Sequence, residues 1–72
     1  MSREEFENYI ESLGFKDDRW CVYTYEKYII DLHGEYYDFF NGLENYFYIN
    51  INDLEPLKKI ERSIKLKKLL SL

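Results

Sequence analysis

Residues 20–51 read WCVYTYEKYIIDLHGEYYDFFNGLENYFYINI, and this stretch decides the fold. It is dense in Tyr, Ile, Val, Phe, Thr and Trp, the residue types that suit the pleated surface of a β-sheet. A Glu-Lys pair, a lone glycine and an Asn-Gly dipeptide interrupt it where tight turns are needed. The spacing predicts a four-stranded antiparallel meander, with strands over Trp20–Tyr25, Tyr28–His33, Glu35–Phe40 and Asn45–Ile51.

Alternation along these strands predicts which side chains face the core, because successive residues of a strand point to opposite faces. The residues expected on the core face are Ile30, Leu32, Tyr37, Phe39, Phe47, Ile49 and Ile51. Those expected on the opposite face are Asp31, His33, Tyr36, Asp38, Tyr46, Tyr48 and Asn50.

A helix is predicted on each side of the sheet sequence. Ser2 and Glu5 form a capping box, and a single apolar stripe follows as far as Leu13. The second helix is expected from about Leu54 towards Leu70, after a cap at Asn52 or Asp53. The order α-β-β-β-β-α therefore predicts one α+β domain over residues 1–72, with both terminal helices packed on one face of the sheet.

The composition argues against a disulfide-linked, a membrane-spanning or a secreted protein. The chain has 72 residues, 14 aromatic side chains and one cysteine, so an internal disulfide is excluded. No apolar run is long enough to span a membrane, and the polar start resembles neither a signal peptide nor a transit peptide. An unpaired cysteine suits a reducing compartment, so a cytoplasmic location is expected.

Two surfaces have more apolar area than the fold requires. The first is the opposite face of the sheet, where Tyr36, Tyr46 and Tyr48 are expected beside Asp31 and Asp38. Tyrosine is enriched in binding patches, which favours a partner-binding surface. The alternative is that cross-strand tyrosine pairs merely stabilise a solvated sheet face.

The second surface lies at the end of the last helix. The stripe that includes Leu57 and Ile64 packs on the sheet, whereas Leu66, Leu69 and Leu70 fall on the other side of the helix. Either the helix breaks near Lys65, or this second stripe packs against a partner, such as a target protein or a second copy of the chain. A frayed terminus with exposed leucines is the alternative.

Charge is divided unevenly along the chain. Residues 1–56 hold 13 acids and 4 bases, net −9, whereas residues 57–72 hold 1 acid and 6 bases, net +5. The cations of the last helix are Lys58, Lys59, Arg62, Lys65, Lys67 and Lys68. Three roles for these cations are open: compensation of the helix dipole, contact with nucleic acid, or binding to the acidic residues 1–56 of another copy. The acidic part is a solvated surface or a mimic of nucleic-acid phosphates.

No catalytic, cofactor-binding or metal-binding motif is complete. His33 has carboxylates nearby, but no second histidine or thiol completes a zinc set. Cys21 has no base beside it in sequence and is expected to be a small buried hydrophobe, and Asp17-Asp18 falls short of a calcium loop. The sequence therefore predicts a protein that is not an enzyme and needs no cofactor.

The segments EEFENYIESLGF, YTYEKYIIDLHGEYYDFFNG and NDLEPLKKIERSIKLKKLL resemble small uncharacterised α+β proteins of phages and mobile elements with AT-rich genomes. The resemblance implies an anti-CRISPR-like accessory protein, a stoichiometric inhibitor of a host defence or nucleic-acid-handling protein in the host cytoplasm. The alternative function is a homo-oligomeric regulatory or virion-associated protein whose basic helix contacts nucleic acid.

Overall fold

A helix, five antiparallel strands in one sheet and a C-terminal helix follow one another along the chain. The structure, a computed structural model, describes residues 1–70, so the last two residues of the domain predicted over 1–72 lie outside the described residues. The elements are α1 (Arg3–Leu13), β1 (Lys16–Arg19), β2 (Val22–Tyr25), β3 (Tyr28–His33), β4 (Tyr36–Phe40), β5 (Asn45–Asn50) and α2 (Glu55–Leu70).

The prediction of four strands is wrong, because the sheet has five in the order β1-β2-β3-β4-β5. The strand that the sequence conceals is β1, whose residues KDDR are all exposed and lack any apolar alternation. It pairs with β2 at the edge of the sheet, with Lys16 opposite Thr24 and Asp17 opposite Tyr23. Strand β1 joins the sheet through backbone pairing without burying any of its side chains, so its sequence shows no apolar pattern.

The first predicted strand also began two residues too early. Trp20 and Cys21 form the turn between β1 and β2, and both have a left-handed backbone, with φ of 29° and 63°. Two positive φ values suit a tight hairpin but are costly for residues other than glycine. Cys21 is half-buried against the core, not buried as predicted, and its Sγ contacts the Arg3 guanidinium.

Helix α1 begins as the capping box predicts. The Glu5 N–H donates to Ser2 Oγ at 3.1 Å, and the Ser2 N–H donates to Glu5 Oε1 at 3.2 Å. The helix ends at Gly14, whose φ of 115° only glycine adopts without strain. A Cβ at Gly14 would lie 2.7 Å from the Tyr25 ring, so this glycine also permits close packing of β2.

The core forms between both helices and one face of the sheet, here called the covered face. Among residues 1–70, the largest fully buried side chains come from α1, β3, β4 and α2. The buried residues are Phe6, Ile10, Leu13, Phe15, Tyr23, Ile30, Leu32, Tyr37, Phe39, Ile51, Leu57, Ile60 and Ile64. Because they form a single cluster, both helices lie on the covered face.

A β-bulge in β5 reverses the expected alternation in that strand. Tyr37 pairs with Ile49 and Phe39 pairs with Tyr46, so Phe47 and Tyr48 together lie opposite the single residue Asp38. The extra residue rotates the start of β5, which turns Tyr46 towards the core and Phe47 away from it. The predictions that Phe47 faces the core and Tyr46 the opposite face are therefore wrong.

Helix α2 is continuous from Glu55 to Leu70, so of the two alternatives for its second apolar stripe, a break near Lys65 does not occur. Asp53 Oδ1 accepts from the Glu55 N–H at 3.2 Å, and Pro56 occupies the first turn, where a missing N–H costs nothing. The Tyr37 hydroxyl donates to the Asp53 carbonyl at 2.7 Å and ties the helix start to β4. Burial of the Tyr37 side chain raises the pKa of its hydroxyl.

Candidate interaction surface

The sheet face that turns away from both helices carries the candidate site, here called the open face. Within residues 1–70, no helix or strand covers it. Cross-strand pairing places Ile29 opposite Phe40, Asp31 opposite Asp38, and His33 opposite Tyr36. The bulge adds two residues from β5. On β3, β4 and β5 the open face therefore includes Ile29, Asp31, His33, Tyr36, Asp38, Phe40, Phe47 and Tyr48, and strand pairing adds Val22 and Thr24 of β2.

One half of the open face is apolar. The rings of Phe40 and Phe47 meet edge to face with centroids 5.7 Å apart, and Ile29 lies beside Phe40 across the strand pair. Phe47 leaves 61% of its surface in water, an unusual exposure for phenylalanine. Sequence alternation missed Phe47, because only the bulge brings it to this face.

The other half of the open face is polar and aromatic, and Asp38 organises it. Asp38 Oδ1 accepts the Tyr48 N–H at 2.9 Å and lies 3.2 Å from His33 Nε2. The Tyr48 ring stands edge-on to His33 at 5.3 Å and packs against Tyr36 at 6.1 Å. Asp38 thus holds a tyrosine that is 76% exposed and has a left-handed backbone, with φ of 54°.

The structure gathers four of the five sheet residues predicted to bind a partner. Tyr36, Tyr48, Asp31 and Asp38 lie together on the open face. Tyr46 does not join them, since its ring stacks on the buried Phe39 with centroids 6.2 Å apart. Its hydroxyl donates to Glu44, and this hydrogen bond raises the pKa of Tyr46.

The leucines predicted to bind a partner lie elsewhere. Leu66, Leu69 and Leu70 are exposed on α2, which packs on the covered face, so they lie on the opposite side of the domain from the open face. Leu66 and Leu69 line a groove of about 380 Å³. The sheet residues and the leucines are therefore two separate surfaces, in keeping with the two that the sequence predicts.

Part of the basic charge of α2 is already paired within the chain. Lys65 Nζ lies 2.9 Å from Glu61 Oε1, and this contact lowers the pKa of Glu61. Lys67 Nζ donates to Glu26 Oε2 at 3.1 Å, which raises the pKa of Lys67 and ties the helix to the β2–β3 turn. The predicted cations Lys58, Lys59 and Arg62 line another groove of about 400 Å³, whereas Lys68 lies one turn beyond Ile64.

Both edges of the sheet carry features that discourage strand addition. Strand β1 is short and consists of charged residues, and β5 is interrupted by its bulge. Short charged strands and bulges are common protections against pairing with another chain. Docking through the face of the sheet is therefore favoured over docking at its edges.

The acidic residues do not form one array. Glu4 and Glu11 are exposed on α1, in the helix layer, whereas Asp31 and Asp38 lie on the open face and Asp17 at the β1 edge. A mimic of nucleic-acid phosphates needs its charges on one side. These acids are instead divided among α1, the open face and the β1 edge.

Residues 1–70 contain neither a cluster of metal ligands nor a membrane-spanning helix. No three His, Cys, Asp or Glu side chains there are grouped to hold a metal ion. Neither helix in this range has both the length and the apolar character needed to cross a membrane.

One further exposed aromatic side chain was missed by sequence reasoning. Trp20 is 93% exposed in the β1–β2 turn, a position where the sequence shows neither glycine nor asparagine to mark a turn.

No protein-family model, curated protein sequence or solved structure matches this chain. We therefore infer its function from the chemistry of its surfaces.

Proposed function

We propose that the chain is a non-enzymatic protein-binding factor that docks its open face on a partner protein. The observation that carries the proposal is the exposure of Phe47 and Tyr48 beside Phe40 and Tyr36, on a face with no covering element in the described residues. Clusters of exposed aromatic side chains with a polar rim are typical of protein interfaces.

The side chains of the open face are suited to act as binding anchors. Phe40 and Phe47 contribute apolar area, while Tyr36 and Tyr48 add hydroxyl groups and lose few rotamers on binding. Asp38 fixes the backbone at Tyr48 before any partner arrives. Anchors that are ordered in advance reduce the entropy lost on association.

The charge of the domain indicates what kind of partner fits. Asp31 and Asp38 lie within the open face, Glu35 lies in the turn at one end, and Glu44 lies in the loop at the other. Residues 1–56 as a whole carry net −9. The partner surface is therefore expected to be apolar at its centre and cationic at its rim, and the acidic field speeds the encounter.

A protein that covers the cationic surface of its partner can inhibit that partner without catalysing a reaction. Proteins that handle nucleic acids carry cationic surfaces, and an acidic domain bound there blocks access at one copy per site. This supports a stoichiometric inhibitor of a host defence or nucleic-acid-handling protein. The resemblance to small phage proteins extends the proposal to a phage-encoded protein that acts in the host cytoplasm. His33 is the chain's only histidine and holds Tyr48, which supports a structural role for the His33–Asp38 pair.

The test is capture of host proteins from lysate by the immobilised chain, with mass spectrometry and three variants. Wild type and Leu43→Ser are expected to retain the same basic partner, because the exposed Leu43 side chain lies in a groove with Tyr28 and Ile60, on the covered side of the sheet. Phe47→Ser and Tyr48→Ser are each expected to weaken binding by roughly 10-fold or more, as interface anchors do. Equal retention by all four proteins would exclude the open face as the interface.

A further inference from the structure

Helix α2 presents a second surface, on the side of the molecule opposite the open face. The groove of about 380 Å³ is lined by Lys58, Glu61, Arg62, Lys65, Leu66 and Leu69. Cations and exposed leucines share this groove, so an occupant that pairs with the cations also covers the leucines. Burial of leucine surface adds to the attraction between charges.

We propose that helix α1 of a second copy of the chain occupies this groove. Helix α1 carries four acids and one base, net −3, whereas α2 carries six bases and two acids, net +4. The two helices are therefore complementary in charge. Pairing α2 with another α2 would instead place cations against cations, which is unfavourable.

The spacing of the charges also matches. Glu4 and Glu11 are exposed on α1 and are seven residues apart, as are Lys58 and Lys65 on α2. At a rise of about 1.5 Å per residue, both spacings correspond to roughly 10.5 Å along the helix. Two ion pairs therefore form together when the helices lie side by side, with the three donors of the Lys65 ammonium shared between its own Glu61 and the incoming carboxylate.

Symmetry doubles these contacts. Helices α1 and α2 are neighbours in one layer, where the Tyr9 hydroxyl donates to Glu61 Oε2 at 3.1 Å. A two-fold axis that runs between the two helices, along their length and in the plane of their outer surface, places each α1 over the α2 of the other copy. Such an isologous contact closes after two copies and does not grow into a filament. The two open faces stay outside, so the dimer does not rest on the proposed function.

Sedimentation velocity tests the pairing with charge-reversed variants. Wild type is expected to be a dimer at a protein concentration of about 100 µM in about 50 mM salt. Its dissociation constant should rise about 10-fold at high salt. Glu4→Lys with Glu11→Lys, and Lys58→Glu with Lys65→Glu, are each expected to be monomeric. Mixing these two proteins restores a dimer, because every helix then faces its complement. Lys16→Glu, an exposed change on β1, leaves wild-type dimerisation intact.

Several results would overturn the proposal. A monomeric wild type at low salt excludes the dimer, and dimers that persist in both double variants exclude α1–α2 pairing. Failure to recover a dimer on mixing does the same. Binding of monomeric wild type to phosphatidylserine vesicles or to a DNA duplex, lost in the Lys58→Glu, Lys65→Glu protein, would assign the cations to lipid or nucleic acid instead. Circular dichroism shows whether each variant is folded.

Discussion

The covered and open faces of the sheet come from the same strands, yet they serve different purposes. On the covered face, Phe39 is completely buried beneath the helices, whereas on the open face Phe47 is mostly in water. The covered face uses apolar area for stability, and the open face leaves it available. A buried aromatic side chain in this sheet therefore contributes to stability, whereas an exposed one contributes little to it.

The largest difference between the faces is expected on truncating a phenylalanine. Phe39→Ala opens a cavity in the core and should cost about 3–5 kcal/mol of unfolding free energy, close to the whole stability of so small a domain. Phe47→Ala should cost less than about 1 kcal/mol, because its surface is already in water. Urea unfolding followed by circular dichroism measures both, and equal losses would show that the open face is also part of the core.

Alkaline pH probes the covered face through Tyr23. Burial, with Glu7 nearby, raises the pKa of Tyr23 to about 12 in the folded state. Its contribution to stability is therefore complete below about pH 10 and disappears as the pH rises through about 12, by up to roughly 1.4 kcal/mol per pH unit. Tyr23→Phe should flatten this decline. Ile30→Val removes a buried methyl group but no titrating group, so it should leave the slope of stability against pH unchanged. Parallel plots of stability against pH for wild type and both variants would show that Tyr23 does not cause the decline.

Asp31 and Asp38 lie opposite each other on the open face, and they are expected to contribute differently to stability. Asp38→Ala removes the acceptor of the Tyr48 N–H and the partner of His33, and should cost about 1–2 kcal/mol. Asp31→Ala relieves like-charge repulsion across the strands and should be neutral or stabilising by a few tenths of a kcal/mol. Thermal unfolding distinguishes them. Hydrogen exchange at the Tyr48 amide should accelerate only in the Asp38 variant, and unchanged exchange in that variant would mean that Asp38 does not hold the bulge.

The smallest effect concerns the backbone of the bulge. Tyr48→Gly should be more stable than Tyr48→Ala by about 1 kcal/mol, because glycine adopts a φ of 54° without strain. At Phe47, where no positive φ occurs, alanine should be the more stable of the same pair. Chemical denaturation of the four variants tests this reversal, and the same order at both positions would place the strain elsewhere.

Local chemistry explains which elements could be predicted. The capping box of Ser2 and Glu5 satisfies helix donors within one turn, so α1 begins where the sequence indicates. Strand β3 shows its alternation openly, because helices bury one of its faces. Strand β1 gives no such pattern, since all four of its side chains are in water.

The candidate site was predictable only in part, for the same reason. Tyr36, Asp31 and Asp38 follow regular alternation and lie on the open face as expected. Tyr46 and Phe47 exchange faces because the bulge forms between two strands. The Asp38 side chain captures a backbone N–H ten residues away, and no pattern within β5 itself records that contact.

The sequence by itself determined the α+β class, the helix ends, the division of charge and the two apolar stripes of α2. These depend on residues close together in the chain. Only the tertiary structure decided that β1 joins the sheet, that Phe47 and Tyr48 share the open face, and that the leucines lie on the opposite side of the domain. Each of these depends on which strand pairs with which and on which face the helices cover, and that choice is made by the whole core at once.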